Sequence, residues 1–299
     1  MLRSKDYAFV TPTPATHARI LSRPDRRTGR NLRDLLGWSL PVQRDAIAPD
    51  VIAALEAASV LRQEDGWLRS DIRVSSLSGE LFLHSAFPTN AKDAVFFGPD
   101  SYRFANLVAD VLTRTDVPEP GHIVDIGTGA GVGAVVAGKT CPMARITMTD
   151  VNPAALELAS VNACAAHVNA RAVLGSTLDS VHEPVDVALA NPPYIIDTSG
   201  RTYRDGGGMH GGAAALNMAR MAVLRLGAGG RLILYTGSAI IDGTDPLATA
   251  LADLARASGC TLDYRELDPD VFGEEMSNPA YAEVDRIAVV AAIIMRDRR

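Results

Sequence analysis

From about residue 121 the chain alternates short apolar runs with longer segments whose apolar positions recur at helical spacing. Residues 123–126, 145–149, 172–174, 185–190 and 231–235 read as strands. Helices fit from Ala130, over 153–167 with Pro153 in the first turn, and around 213–226 and 246–258. Strands alternating with helices predict an α/β fold with a doubly wound parallel sheet. Residues 261–267 and 285–294 follow as two strands with no helical pattern between them. They complete seven strands, Rossmann-like, with an antiparallel pair closing one edge.

Before residue 90 the pattern is different. Residues 31–38, 42–47 and 50–61 read as three short helices, and 67–74 with 80–83 as a hairpin through 75–79. This winged-helix-like order serves DNA binding, docking or dimerisation. The chain therefore divides into a small α+β substrate-recognition or dimerisation domain, 1–90, and a larger domain, 91–299. Asp100 or Ser101 is expected to cap a helix running to about Thr113.

Composition adds limits. The chain has 299 residues, 47% hydrophobic, and a net charge of −6, which argues against a general polyanion binder. The N-terminal 36 residues depart from this. They hold Arg3, Lys5, Arg19, Arg23, Arg26, Arg27, Arg30 and Arg33 against Asp6, Asp25 and Asp34. A solvated segment is expected there, with a nucleic-acid or acidic partner as the alternative. Cys141, Cys164 and Cys260 lack metal-ligand spacing and read as reduced, packed side chains. The longest apolar run, 287–295, is too short to span a bilayer, so a cytoplasmic protein is expected.

The chemistry concentrates at strand ends. The first strand of the sheet runs into Asp125-Ile126-Gly127-Thr128-Gly129-Ala130-Gly131. Glycines there let a ligand approach the backbone, ahead of a helix N-terminus. The spacing also fits a dinucleotide fingerprint. However, Asp125 would repel a pyrophosphate and suits the ammonium of S-adenosylmethionine (AdoMet). Asp150 ends the second strand, where it can accept ribose hydroxyls, cap the next helix, or do both at once, with Val151 beside it in the same cofactor set. Ser176 follows the third strand, where adenine would lie.

The fourth strand ends in Asn191-Pro192-Pro193-Tyr194. An amide or aromatic amino nitrogen delocalises its lone pair and is a poor nucleophile. The Asn191 oxygen and the Pro192 carbonyl can accept its two N–H bonds, orienting it toward a methyl donor and dispersing developing charge. Asn191 also borders the cofactor, and Pro193 and Tyr194 complete the acceptor site, with Tyr194 against the flat substrate. The loop 203–212 follows, with glycine hinges that would let it close over substrate. Asp205, Glu274 and Glu275 form a candidate acidic pocket for an ammonium or guanidinium, and His210 is a candidate proton relay. Solvated side chains are the plainer expectation for His210, Glu274 and Glu275. No metal site is expected.

On these residues, 90–299 resembles the class I AdoMet-dependent methyltransferases, and within them the HemK/PrmC-like branch. The resemblance rests on Asp125 with Gly127, Gly129 and Gly131, on Asp150 with Asn152-Pro153, and on Asn191–Tyr194. It implies AdoMet held by Asp125, Gly127, Gly129 and Asp150, and a substrate nitrogen held by Asn191. In that branch the acceptor is a glutamine amide of translation release factors, and relatives with similar motifs methylate amino groups of nucleic-acid bases. This chain departs from the branch in its N-terminal region, at Ser176 and in its glycine-richer loop. The acceptor therefore stays open between a protein glutamine and a small amide, amine or guanidine such as arginine. A nucleic-acid base is the next alternative, a non-catalytic AdoMet-binding DNA regulator another. The partners expected are a substrate protein or small molecule, no membrane, a homodimer being possible.

Overall fold

The computed structural model describes residues 1–197 and 201–298, in two compact units, Met1–Arg103 and Phe104–Arg299. The first unit extends to Arg103, past the expected boundary at residue 90.

In the first unit, α1 (Pro14–Leu21) starts with Pro14 in its first turn, and Thr13 Oγ1 accepts the Thr16 N–H at 3.2 Å. The hydrophobic pattern over so short a segment did not reveal this helix. Next come α2 (Leu32–Leu36) and α3 (Pro49–Ala57). The expected helix over 42–47 reduces to a single 3-10 turn, Arg44–Ala46, because Val42 exchanges backbone hydrogen bonds with Leu68. Two hairpins replace the one expected. β1 (Leu61–Glu64) pairs with β2 (Trp67–Ser70) across Asp65-Gly66, both residues at positive φ, a strong hairpin signal. β3 (Ile72–Leu77) pairs with β4 (Glu80–Ser85) across Ser78-Gly79. Leu35, Leu36, Val42, Val51, Ile52 and Leu68 anchor a core private to this unit.

Helix α4 (Pro99–Thr113) begins at Pro99. Asp100 and Ser101 thus lie inside its first turn, and the Gly98 N–H donates to Ser101 Oγ at 3.3 Å.

The second unit alternates as expected: β5 (His122–Ile126), α5 (Val132–Thr140), β6 (Arg145–Asp150), α6 (Pro153–Ala165), β7 (Ala170–Leu174) and β8 (Val185–Ala190). It continues with α7 (Ala213–Arg225), β9 (Leu226–Ile240), α8 (Pro246–Ala257), β10 (Cys260–Asp268) and β11 (Arg286–Arg296). One seven-stranded sheet has the order β10-β11-β9-β8-β5-β6-β7. Strands β5 to β9 run parallel, and β11 inserts antiparallel between β9 and β10. Pairing with β11 from Arg231 to Ile240 is what lengthens β9 well beyond the expected 231–235. Strand order reverses between β5 and β8, the topological switch point at which open α/β sheets bind ligands.

Candidate active site

The register levels the carboxyl ends of the central strands. Ile126 pairs with Thr149 and with Ala190, and Asp150 with Leu174. The turn after β5, Asp150 and Val151 after β6, Ser176 after β7 and Asn191 after β8 therefore share one edge. Gly127, Gly129 and Gly131 take φ of +66°, +55° and +80°. At Gly129 an added Cβ would meet nothing within 4 Å, so glycine is needed for its backbone and its outer face stays open to a ligand.

Asp125 is differently placed from the sequence expectation. It is 2% exposed and turned beneath the turn, where its Oδ2 accepts from Thr128 Oγ1 at 2.5 Å and from the Ala134 N–H at 3.0 Å. Burial pushes its pKa up to about 6, against the lowering effect of those two bonds. Asp125 thus fastens the glycine turn and the first turn of α5, and does not face outward to an ammonium. The close fit extends to Gly133, whose Cβ would lie 2.7 Å from Asp125 Oδ1.

Asp150 is not the cap of α6. Asn152 caps it, with Oδ1 accepting the Ala154 N–H at 3.0 Å. Asp150 accepts the Gly129 N–H at Oδ2 and the Asn152 N–H at Oδ1, both at 2.9 Å. It therefore joins β6 to the glycine turn, and each oxygen keeps a second lone pair suited to a diol. Burial raises its pKa. Val151 is 51% exposed, an apolar surface beside that carboxylate. Ser176 is exposed, next to Gly175, whose N–H bonds the Asp150 carbonyl at 2.9 Å. These residues fit AdoMet: an open glycine backbone, a diol acceptor and an apolar shelf on adjacent strand ends.

At the end of β8, the half-buried Asn191 side chain makes no hydrogen bond to any described residue. Pro192 is buried behind it and Pro193 half-buried. Tyr194 is only 7% exposed. Its ring meets Phe272 edge-on at 5.6 Å and lies over Gly237 of β9, where a Cβ would come within 2.1 Å of the ring. Tyr194 is a wedge that seats the motif on β9, rather than a surface for substrate.

The loop 203–212 is pinned as well. The Ile195 N–H bonds the Arg204 carbonyl at 3.2 Å, and the Gly206 N–H bonds the Ile195 carbonyl at 2.8 Å. Gly206 and Gly211 press on the Tyr194 backbone so closely that a Cβ on Gly211 would sit 2.1 Å from the Tyr194 carbonyl oxygen. These glycines serve contact with the motif and not a hinge. Tyr281, 1% exposed, accepts the Ile196 N–H at 2.8 Å. His210 is half-buried with its ring 6.4 Å from that of Tyr281.

The expected acidic pocket loses one of its three carboxylates to an ion pair. Glu275 is ion-paired with Arg204, and Glu274 is exposed. Asp205 is exposed, its Oδ1 accepting the Gly207 N–H at 3.1 Å. Arg201 holds Asp197 in a two-point pair, at 2.9 and 2.7 Å, which pulls the Asp197 pKa down to about 2. Of the three carboxylates expected to bind a cation, Glu275 is thus balanced by an arginine, while the Arg201 pair engages Asp197, which was not among them.

Sequence reasoning also missed Asn162, Gly237, Phe272 and Tyr281. Asn162 Nδ2 donates to the Ala130 carbonyl at 2.9 Å and so supports the glycine turn from α6. An asparagine in mid-helix was the one available signal. Among the described residues no cluster of three or more His, Cys, Asp or Glu is placed to hold a metal, and no helix is long and apolar enough to cross a membrane.

The family described as Methyltransferase small domain matches residues 103–240. A release factor glutamine methyltransferase of Deinococcus radiodurans is 29% identical over 68% of this chain and 72% of its own length. A ribosomal RNA small subunit methyltransferase C of Hamiltonella defensa is 32% identical over 28% of this chain and 25% of its own. In fold, the chain is similar to Trm5b from Pyrococcus abyssi, with a TM-score of 0.52 at 15% identity over 79% of this chain and 62% of that one.

Proposed function

From the premise that this chain is a class I AdoMet-dependent methyltransferase of the HemK-like branch, we propose that it methylates the side-chain amide nitrogen of a protein glutamine. The observation that carries this reading is the Asn191 amide, half-buried at the switch point without a hydrogen-bond partner among the described residues. A planar –NH2 has two N–H groups to satisfy, and Asn191 Oδ1 with the Pro192 carbonyl supplies two acceptors. Their negative ends stabilise the positive charge that grows on the nitrogen as its lone pair engages. AdoMet supplies a methyl on a sulfonium, already activated for transfer. Asp150, Val151, Ser176 and the turn 127–131 would hold it, with Asp125 fixing the turn from below. The remaining task is alignment. Once methylated, the nitrogen sheds a proton to water, so no strong base is required of the chain.

A guanidinium or ammonium acceptor is less well supported, because Arg204 neutralises Glu275, one of the three carboxylates expected to bind it. A protein glutamine is favoured over a nucleic-acid base by the extent of likeness: the glutamine-methylating relative matches 68% of the chain, the ribosomal RNA one 28%.

The test is transfer of labelled methyl from AdoMet to glutamine-bearing proteins of an extract. Label should appear as N-methylglutamine after digestion. Asn191→Ala should lose about 100-fold or more in turnover while AdoMet affinity changes less than about threefold. Label found only in RNA or in small molecules would overturn the acceptor. Full activity of Asn191→Ala would overturn the role of the motif.

A further inference from the structure

The N-terminal unit carries a charge that the acceptor site does not use. Arg19 lies in α1, Arg23, Arg26, Arg27 and Arg30 in the connection that follows, and Arg33 in α2. Between Arg19 and Arg33 the acidic residue is Asp25 alone. Arg19, Arg23, Arg27, Arg30 and Arg33 are exposed, and none forms an ion pair among the described residues. Elsewhere on the unit the exposed arginines are neutralised: Arg44 by Glu56, Arg62 by Glu64 and Asp71, Arg69 by Glu64.

The arginine segment is folded, not a loose tail. Asp34, 7% exposed, gathers it: Oδ1 pairs with Arg26 at 3.1 Å and Oδ2 accepts the Arg30 N–H at 2.8 Å. Arg26 also lies over the Trp38 ring at 5.8 Å. The Gly29 N–H bonds the Pro41 carbonyl at 2.8 Å, and Asn31 Oδ1 accepts the Asp34 N–H at 3.0 Å. The one buried carboxylate serves as an internal support and leaves the outward guanidinia uncompensated.

We infer that this arginine face, formed by residues 19–33, binds single-stranded RNA. All the cations of the face are arginines, with no lysine. Guanidinium planes bond phosphates in two-point fashion and stack on unpaired bases, as an ammonium cannot. A DNA duplex is less suited. The last helix before the hairpins, α3, would be the one to enter a major groove, and it turns Asp50 and Glu56 outward. The arginines themselves lie on elements of eight and five residues and the turns between, too short to read a groove. A lipid surface is also less suited, since no exposed large hydrophobic side chain lies between Val10 and Met143 to enter it. The overall charge of −6 opposes a general attraction to polyanions, so a local cluster of this kind is needed.

The proposal is independent of the acceptor. The full chain is titrated with a fluorescent 20-nucleotide single-stranded RNA, with a duplex DNA of the same sequence, and with polyglutamate as competitor. RNA binding should weaken with salt. The variant Arg23→Gln/Arg27→Gln/Arg30→Gln/Arg33→Gln should lose about 30-fold or more in affinity, and the log–log salt slope should fall by about 3. The control Arg44→Gln/Arg62→Gln/Arg69→Gln should stay within about twofold. AdoMet affinity, unchanged in both, reports that the variants are folded. Equal loss in the control, an unchanged quadruple variant, duplex DNA bound as tightly as RNA, or efficient competition by polyglutamate would each overturn the assignment. Failure to find methylglutamine with RNA binding intact would overturn the proposed acceptor alone.

Discussion

Asp125 and Asn191 sit at the ends of adjacent strands and live in opposite conditions. Asp125 is enclosed and accepts two hydrogen bonds at Oδ2, while Asn191 is half-buried and has no bonded partner among the described residues. The enclosed carboxylate makes stability depend on pH. Its folded pKa, about 6, exceeds the ordinary value of 3.8, so its contribution is greatest below pH 3.8 and is lost as pH rises through 6. Between pH 7 and pH 5 the protein should gain about 1 kcal/mol that Asp125→Asn does not, as read by urea unfolding. A parallel pair of pH profiles would refute the assignment. The glycine spacing and the acid type at 125 were legible in the sequence. The direction of the carboxylate was not, because it depends on where the N–H groups of α5 fall.

Elements decide how firmly the motif is seated. Tyr194 rests on Gly237 of β9, and the segment after it hangs from the Tyr281 hydroxyl. Gly237→Ala would drive a methyl into the ring and should cost about 2 kcal/mol, with kcat falling far more than AdoMet affinity. Tyr281→Phe should cost about 1 kcal/mol and lower kcat with AdoMet affinity unchanged. Full turnover in both would show that the motif needs no such seat. At the start of α6, Asn152→Ala should lower stability by about 1 kcal/mol, measured by thermal melting. Asp150 and Asn152 are both good cap residues, and the sequence offers each. The extra length of β9 was likewise hidden: Gly227, Gly229 and Gly230 mask its start, where Leu226 pairs with Val185 of β8, and pairing with β11 extends its far end to Ile240.

Across the whole molecule, buried groups in the two units respond to acid in different directions. In Met1–Arg103, His17 is fully buried beside Arg73, stacks on Phe87 at 4.2 Å, and has a pKa lowered to about 4, first by burial and then by Arg73. His84, also fully buried, is lowered by the same causes. A lowered histidine pKa stabilises above pH 6.5, and that contribution is lost as pH falls toward 4. From pH 7 to pH 5 the first unit should lose about 2 kcal/mol through His17 alone, while the second gains through Asp125. Hydrogen exchange should show protection falling around His17 in residues 1–103 and rising around the glycine turn that Asp125 fastens. A uniform change would sink the expectation.

The sequence by itself determined the alternation of strands and helices, the glycine turn, and the place of the Asn191–Tyr194 motif at the end of the fourth strand. These are local properties: periodicity, permitted φ values, and the donors and acceptors of neighbouring residues. It misjudged the first unit, where runs of four to six residues suit helix and strand alike until a partner is present. It also could not say which charges meet. Glu275 was a candidate for binding a cationic substrate until folding brought it to Arg204, 71 residues away. Asp34 looked like one more charge in a basic stretch until burial made it the support of that stretch. Pairing across the fold depends on distances that only the assembled structure sets. For that reason methyl transfer could be read from the sequence, while which charges are paired and which stay exposed emerged only from the tertiary structure.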